Sequence, residues 1–375
     1  MITISILLGL FYAITMIYFL KGWYSLKVHR NSHKGQAGVS VIIPARNEEG
    51  KIGKLLELLD KQNYSKDLYE VIVVDDHSED GTSVEVETFQ GVNVSLIKLG
   101  DILKSEDQIK SYKKKALEKG IEQARFELIL TTDADCYMGN DWISSIVDYY
   151  ENNNYRMIAG PVAYDEESGF FKRFQALDFL SMIGLGAASI GNHSPIVCNG
   201  ANLLYEKDTF IQLNGFSGID HIASGDDILL MHKLEKRYPG SIGFIKNRES
   251  IVYTQAEANL GGFLNQRKRW ASKSFKYSDK KVTLILAGIY LFNLSILVNA
   301  IASFWYFELL YLALSQLAVK FIFDMLIVFP VTSFFRRKSL LWVFLPSQLL
   351  HIPYVLFIGI WSNWGSYTWK GRKVN

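Results

Sequence analysis

Apolar and polar positions divide the chain into three stretches. Residues 2–20 form an apolar run with no charge before Lys21, about the length needed to cross a bilayer. No basic segment precedes it and no small-residue cleavage site follows, so it reads as a retained anchor rather than a signal peptide. Residues 38–278 alternate instead. Short apolar runs at 39–43, 69–74, 92–99 and 126–131 read as buried strands, and stretches at 52–59 and 113–124 as helices. Strands alternating with helices predict crossovers onto a mostly parallel sheet, an α/β fold. Past Trp142 the alternation loosens, with one further strand over 157–162. Residues 170–190 are apolar but carry Lys172, Arg173 and Asp178, which predicts a helix lying on the membrane surface or against the core.

From Val282 the composition turns apolar again. Residues 282–302 and 307–331 are spanning candidates, and 340–361 is a third, interrupted by Pro346, His351 and Pro353. Lys320 and Asp324 stand one helical turn apart in the second of these, which predicts an ion pair or a protein-facing position rather than lipid contact. Lys21, Lys27, Arg30 and Lys34 follow the first run, and Arg336, Arg337 and Lys338 follow residue 331. By the positive-inside rule both groups mark the cytoplasmic side. Three complete C-terminal crossings would leave Lys370, Arg372 and Lys373 outside, whereas a proline-broken last segment that turns back within the bilayer returns the tail to the cytoplasm. The second arrangement is preferred. The expected organisation is an anchor over 1–22, a soluble domain over 38–278, a membrane region of two to three spanning or re-entrant segments over 282–362, and a basic tail over 363–375.

Composition agrees with this division. In 375 residues the hydrophobic share is 49% and the mean hydropathy +0.08, high for a wholly soluble protein. A formal net charge of +2, with no basic stripe interleaved with aromatics, excludes nucleic acid as the expected partner. Cys136 and Cys198 form no Cys-x-x-Cys pair and have no histidine at metal spacing, which fits a reduced, cytosolic domain.

The candidate chemistry collects where the strands end, because ligands of such sheets bind beyond the C-terminal strand ends. Asp133 and Asp135 flank one alanine in TTDADC (131–136), an arrangement able to hold a divalent cation while leaving positions open for a substrate's phosphates. PARNEE (44–49) puts an extended, proline-containing turn after a strand, where Pro44, Arg46, Asn47 and Glu48 are candidate nucleotide or donor contacts; Asn47 and Glu48 either hydrogen-bond a ribose or base edge or cap the following helix. Asp75 and Asp76 open DDHSEDGT (75–82) where carboxylates commonly accept hydrogen bonds from ribose hydroxyls or a base N–H. Ser78, Asp80, Gly81 and Thr82 read as the turn and cap of the next helix. Lys113 and Lys114 open a helix and face either a pyrophosphate or solvent. In SGDDILL (224–230) Asp226 and Asp227 precede an apolar run. Helix capping explains one acid and leaves the other for general-base work on an acceptor hydroxyl. In NQRKRW (265–270) Arg269 and Trp270 are either interface anchors or contacts to a diphosphate and a sugar or acceptor.

Taken in order, PARNEE, VVDDHSEDGT, TTDADC, SGDDILL and QRKRW resemble the membrane-bound family 2 glycosyltransferases over residues 39–270. The resemblance implies a GT-A fold, Rossmann-like with a mostly parallel sheet, using a nucleotide-diphosphate sugar and Mg²⁺ or Mn²⁺. It implies that Glu48, Asp75 and Asp76 contact the nucleoside and that Asp133 and Asp135 bind the sugar diphosphate and its metal. It further implies that Asp227, three residues before Leu230, is the base, and that Gln266, Arg269 and Trp270 form the Q-x-x-R-W motif. Gly225-Asp226-Asp227 stands where many processive polymerases have Thr-Glu-Asp, so their acceptor details do not carry over. The terminal WKGR (369–372) resembles the end of ceramide glucosyltransferase-like enzymes, in keeping with a cytoplasmic tail.

The expected activity is inverting, metal-dependent transfer of one sugar from a UDP-sugar to a lipid, lipid-linked or glycan acceptor. It is placed at the cytoplasmic face of the inner (plasma) membrane. A processive polysaccharide synthase that exports its product is the alternative, and product length separates the two. A catalytically silent nucleotide-binding scaffold would have no chemical need for Asp133, Asp135 and Asp227 together. A nucleotidyltransferase would release pyrophosphate, and no Gly-rich phosphate loop stands near the first strand.

Overall fold

The computed structural model describes residues 2–32, 35–91, 93–103, 111–272, 280–362, 367–370 and 372–374. Lys34, Val92, the boundary at Ser278 and Gly371 of the WKGR motif lie outside them. In chain order the strands are β1 (Val39–Ala45), β2 (Tyr69–Asp75), β3 (Val94–Lys98), β4 (Leu128–Thr131), β5 (Tyr137–Met138), β6 (Met157–Ala159), β7 (Val162–Tyr164), β8 (Leu203–Glu206), β9 (Ile242–Phe244) and β10 (Val252–Thr254), with a tail hairpin of β11 (Tyr367–Trp369) and β12 (Arg372–Val374). The helices are α1 (Ile2–Ser25), α2 (Ile52–Asp60), α3 (Thr82–Thr88), α4 (Leu99–Ile102), α5 (Tyr112–Gln123), α6 (Trp142–Glu151), α7 (Gly169–Gly191), α8 (Lys207–Gln212), α9 (Asp226–Arg237), α10 (Leu260–Ala271), α11 (Lys280–Ala302), α12 (Glu308–Phe334) and α13 (Phe344–Trp361).

Among the described residues seven strands form the main sheet in the order β3-β2-β1-β4-β8-β6-β9, and of these β8 alone runs against its neighbours. β1 and β2 (VSVIIPA and YEVIVVD) are buried along almost their whole length, the apolar signature of parallel strands covered on both faces. Two sequence expectations shift. The third strand stops at Lys98 because Leu99 opens the short α4. The strand expected over 157–162 is two strands in different sheets, β6 in the main sheet and β7 in the small β5-β10-β7 sheet. Gly160 and Pro161 separate them: a side chain at Gly160 would collide with Asn202 at 2.3 Å, and Pro161 has no N–H to continue a ladder.

α1 and α12 pack against α7 and against each other, and α11 packs on α1 and α12, which completes a bundle. Their outer faces expose Ile6, Leu10, Ile14, Leu284, Leu291 and Leu326, an apolar surface suited to lipid. α7 is largely enclosed: 72% of its most apolar stretch is buried, against 28% for α1. It therefore packs inside the protein and does not lie flat on a membrane. Its Asp178 faces Arg267 Nη2 at 2.8 Å, and Arg173 Nε donates to Glu167 O at 3.1 Å. Lys320 and Asp324 pair at 2.6 Å, as their spacing predicts, and the Tyr12 hydroxyl of α1 also donates to Asp324.

One end of the bundle is fastened to the sheet domain. Arg248 donates to Phe334 O (2.6 Å) and Ser333 O (3.2 Å) at the end of α12, and Arg337 meets Glu167 at 3.0 Å. The far end carries exposed Phe304, Trp305, Tyr306 and Phe307 between α11 and α12, a group suited to a membrane interface. α13 starts beside the fastened end. Pro346 stands in its first turn, where no amide donor is needed, and Pro353 lies inside the helix without dividing it, so the expected interruption is absent. At the helix's other end the Lys268 ammonium lies 4.4 Å from the centre of the Trp361 ring, and the hairpin that follows reaches the sheet domain through Lys370 and Arg372. Both ends of α13 thus meet the same side of the molecule.

Candidate active site

β1 and β2 end level with each other, Ala45 opposite Asp75, and Thr131 of β4 pairs with Ile42 of β1. All three following loops therefore leave one edge of the sheet. Asp75 accepts hydrogen bonds from Ser78 N (3.1 Å), from the Ser78 hydroxyl and from Ser83 Oγ (2.8 Å). Asp76 accepts from Arg372 Nη1 at 2.6 Å and meets His77 Nδ1 at 2.9 Å. Glu48 is buried, its carboxylate facing Lys51 (3.0 Å) and Lys370. Asn47 takes the left-handed conformation, φ 51°, and its Oδ1 accepts from Glu79 N at 2.9 Å, which ties the first acid loop to the second. Asp80 accepts from Thr82 N at 3.1 Å, the capping role expected of that turn.

Asp133 forms an ion pair with Lys113 Nζ at 2.7 Å, and the same ammonium lies 3.7 Å from Asp226. Burial alone would lower the Lys113 pKa, but the charges of Asp133, Asp226 and Asp227 outweigh it and raise it. Asp135 has no ion-pair partner among the described residues; burial, then the charge of Asp133, raises its pKa. This excess of buried negative charge is what a divalent cation relieves. The described residues hold no group of three or more His, Cys, Asp or Glu placed to bind a metal, so Asp133 and Asp135 fit a cation that takes its remaining oxygens from a substrate.

α9 begins at Asp226 after Gly225, whose φ of 79° turns the chain sharply into the helix. Asp227 Oδ2 accepts from Gly200 N at 3.0 Å and Oδ1 from Ile228 N at 2.8 Å. Gly200 belongs to the 199–202 loop that enters β8, the antiparallel neighbour of β4, so the sheet brings Asp227 to the edge that carries Asp133 and Asp135. Both acids of the pair line the same cavity as that D-x-D pair.

Lys114 does not join them. It is buried, and its Nζ donates to the carbonyls of Ile219 (2.7 Å), Ile222 (2.5 Å) and Ser224 (3.3 Å), holding the loop that leads into α9. The sequence treats Lys113 and Lys114 alike, but adjacent helical residues point about 100° apart, and only Lys113 faces the edge. Lys114→Met is expected to lower stability by on the order of 3 kcal/mol by orphaning those carbonyls. Thermal unfolding checks this: an unchanged Tm together with a raised donor KM would return Lys114 to the site.

Of the last motif, Gln266 Nε2 donates to Glu257 at 3.1 Å and Trp270 packs 4.2 Å from the Arg267 guanidinium, while Arg269 reaches the acid edge. A cavity of about 580 Å³ runs from Asp133, Asp135, Asp226 and Asp227, past Gln266, Arg269 and Trp270, to an apolar wall of Phe19 on α1, Leu286 and Ile289 on α11, and Tyr354 and Ile358 on α13. A smaller one of about 130 Å³ at the acid edge is lined by Pro44, Arg46, Asp76, Lys113, Asp133, Asp135, Arg269 and Lys370. Sequence reasoning did not place Lys370 and Arg372 here, nor Tyr112, whose ring lies 3.7 Å from the Arg372 guanidinium. The only signal was the basic WKGR at the chain's end.

A parallel sheet interrupted by one antiparallel strand, with an acid pair at the end of its fourth strand, defines the GT-A class of fold. Glycosyl transferase family group 2 matches residues 128–360 and glycosyl transferase family 2 matches residues 40–212. The chain belongs to the family 2 glycosyltransferases. Glycosyltransferase AglE of Haloferax volcanii is 30% identical over 190 residues, 51% of this chain and 59% of that protein. The poly-β-1,6-N-acetyl-D-glucosamine synthase of Staphylococcus epidermidis is 23% identical over 272 residues, 71% of this chain and 62% of that protein. The chain thus spans about six-tenths of the length of these relatives. The mannosyltransferase PcManGT from Pyrobaculum calidifontis, in complex with GDP-Man and Mn²⁺, aligns with 93% of this chain and 99% of its own at a TM-score of 0.55 and 17% identity, a likeness of fold.

Proposed function

We propose that this glycosyltransferase transfers one sugar, with inversion, from a nucleotide-diphosphate sugar, a UDP-sugar in the first instance, to a membrane lipid or lipid-linked acceptor at the cytoplasmic face of the plasma membrane. The observation that carries this reading is the large cavity, acidic where chemistry occurs and apolar where it meets α1, α11 and α13. That is the shape and polarity of an acceptor with a hydroxyl at one end and a hydrocarbon body at the other. In this reading α1, α11 and α12 cross the bilayer, and α13 stays on the domain side, which returns the tail to the active site.

The smaller cavity takes the donor's diphosphate, with the nucleoside toward Asp75, Asp76 and Glu48. Arg46, Lys113, Arg269 and Lys370 line or border it and offset the phosphates' charge. Mg²⁺ or Mn²⁺ on Asp133 and Asp135 would neutralise charge developing on the leaving diphosphate. Asp227, held by the Gly200 and Ile228 amides, takes the proton from the acceptor hydroxyl as its oxygen attacks the anomeric carbon and the bond to the diphosphate oxygen breaks. Asp226 stays beside Lys113 and orients that ammonium toward the phosphates. The relative that makes a polymer, poly-β-1,6-N-acetyl-D-glucosamine, motivates a processive alternative. Product length on a gel separates the two readings.

The tail offers a test of the donor pocket by pH. Burial, then the like charge of Arg46, lowers the Lys370 ammonium to about 8, although Glu48 faces it. Below that pH the cation is present to meet a phosphate; above it the charge is lost. Donor KM is therefore expected to rise as pH passes 8, and Lys370→Arg, which keeps its charge, is expected to flatten that rise. A rise of the same size in the arginine variant would assign the titration elsewhere.

A further inference from the structure

Beside the large cavity, and sharing Asp178, Ser181, Leu185, Ile289 and His351 with it, a chamber of about 130 Å³ opens among the helices of the bundle. Its place is among apolar helices, yet its lining includes Asn293 of α11, Lys320 and Asp324 of α12, and Ser347, Gln348 and His351 of α13. Four of these present a buried polar atom with no hydrogen-bond partner among the described residues: Asn293 Oδ1, Ser347 Oγ, Gln348 Oε1 and His351 Nδ1. An orphaned polar atom in such surroundings is unfavourable unless something enters the space and bonds to it. Four around one chamber mark a place built to be filled.

The charges say what kind of group fills it. Lys320 pairs with Asp324 at 2.6 Å, and Asp178 faces Arg267 at 2.8 Å and His351 at 3.8 Å. A phosphate entering the chamber would meet two carboxylates whose cations are already engaged, together with two amide oxygens. A hydroxyl or an amide N–H would meet acceptors. Asn293 is fixed in this sense, because its Nδ2 donates to Ile289 O at 2.8 Å and leaves Oδ1, an acceptor, without a partner among the described residues. Ser347 and His351 can each donate or accept.

We propose that the chamber receives an uncharged, hydrogen-bond-donating group in the head region of the acceptor, which makes the acceptor a neutral hydroxylated lipid rather than a lipid phosphate. This rests on the lipid-acceptor reading of the adjoining cavity and names the class of lipid. One polar group of the lipid meets Asp227 and a second, a hydroxyl or amide, meets Asn293 and Gln348.

The test uses the full chain in detergent with a sugar donor and Mn²⁺. Dioctanoylglycerol and a short-chain ceramide are compared with farnesyl phosphate for their effect on Tm and for uptake of labelled sugar. The neutral lipids are expected to raise Tm and accept label, and farnesyl phosphate to do neither. Asn293→Leu and Gln348→Leu keep the side chains' size while removing the orphaned acceptors, so both variants should fold, as their Tm without lipid will report. Each is expected to raise the lipid KM about tenfold, equivalent to about 1.4 kcal/mol, with donor KM changing less than about twofold. Labelling of farnesyl phosphate but not of the neutral lipids overturns the proposal. So does labelling of neutral lipids with wild-type lipid KM in both leucine variants, which would mean that water fills the chamber. Label that enters only a water-soluble glycan, with no lipid required, overturns the lipid reading itself.

Discussion

Asp227→Asn is expected to leave nucleotide-sugar binding within a few-fold of the wild type and to lower transfer by on the order of a thousandfold, the range a positioned general base contributes. The substitution keeps the side chain's shape but replaces an acceptor-only carboxylate, bonded to the Gly200 and Ile228 amides, with a group that cannot take a proton from a hydroxyl. Asp226→Asn alongside it separates the two acids. Asp226 lies near Lys113, so its loss should weaken donor binding more than it slows the chemical step. Donor affinity measured by calorimetry and turnover measured by nucleoside diphosphate release give the two quantities independently. Equal turnover in Asp227→Asn and wild type would remove Asp227 from the base role.

Asp135→Ala carries the second large effect. Asp135 lacks an ion-pair partner among the described residues and sits where burial and Asp133 make its negative charge unfavourable. Removing it should therefore cost little stability but take away half of the protein's contribution to a cation site. A divalent cation at a leaving diphosphate is worth several kcal/mol, so kcat/KM is expected to fall by two to three orders of magnitude. The dependence of donor affinity on Mn²⁺ concentration should disappear with it. Retained Mn²⁺ dependence in Asp135→Ala would place the cation elsewhere.

The acid edge was legible in the sequence because its signals are local. Each of β1, β2 and β4 is an apolar run that stops at a polar loop, and parallel strands put such stops on one side of a sheet without further information. What the sequence could not give depends on contacts between distant segments. Lys113 and Lys114 differ only in direction, and that direction matters because the 219–224 carbonyls lie on one side of α5. Lys370 and Arg372 lie about 300 residues from Glu48 and Asp76, and only the course of α13 brings them there. The break between β6 and β7 was signalled by Gly160-Pro161, a pair that ends ladders, but the surrounding apolar residues read as one run. The polar chamber in the bundle is invisible in a hydropathy profile, since Asn293, Gln348 and His351 are each diluted by apolar neighbours.

The most direct test of the account is where the sugar goes. Membranes containing the full chain, given a radiolabelled UDP-sugar and Mn²⁺, are partitioned between organic solvent and water, and the labelled product is sized. The account expects label in the organic phase, on a lipid bearing a single sugar, and none above background with Asp227→Asn. Label in a long water-soluble polymer, formed by the wild type and lost in the same variant, would contradict it and make the protein a polysaccharide synthase.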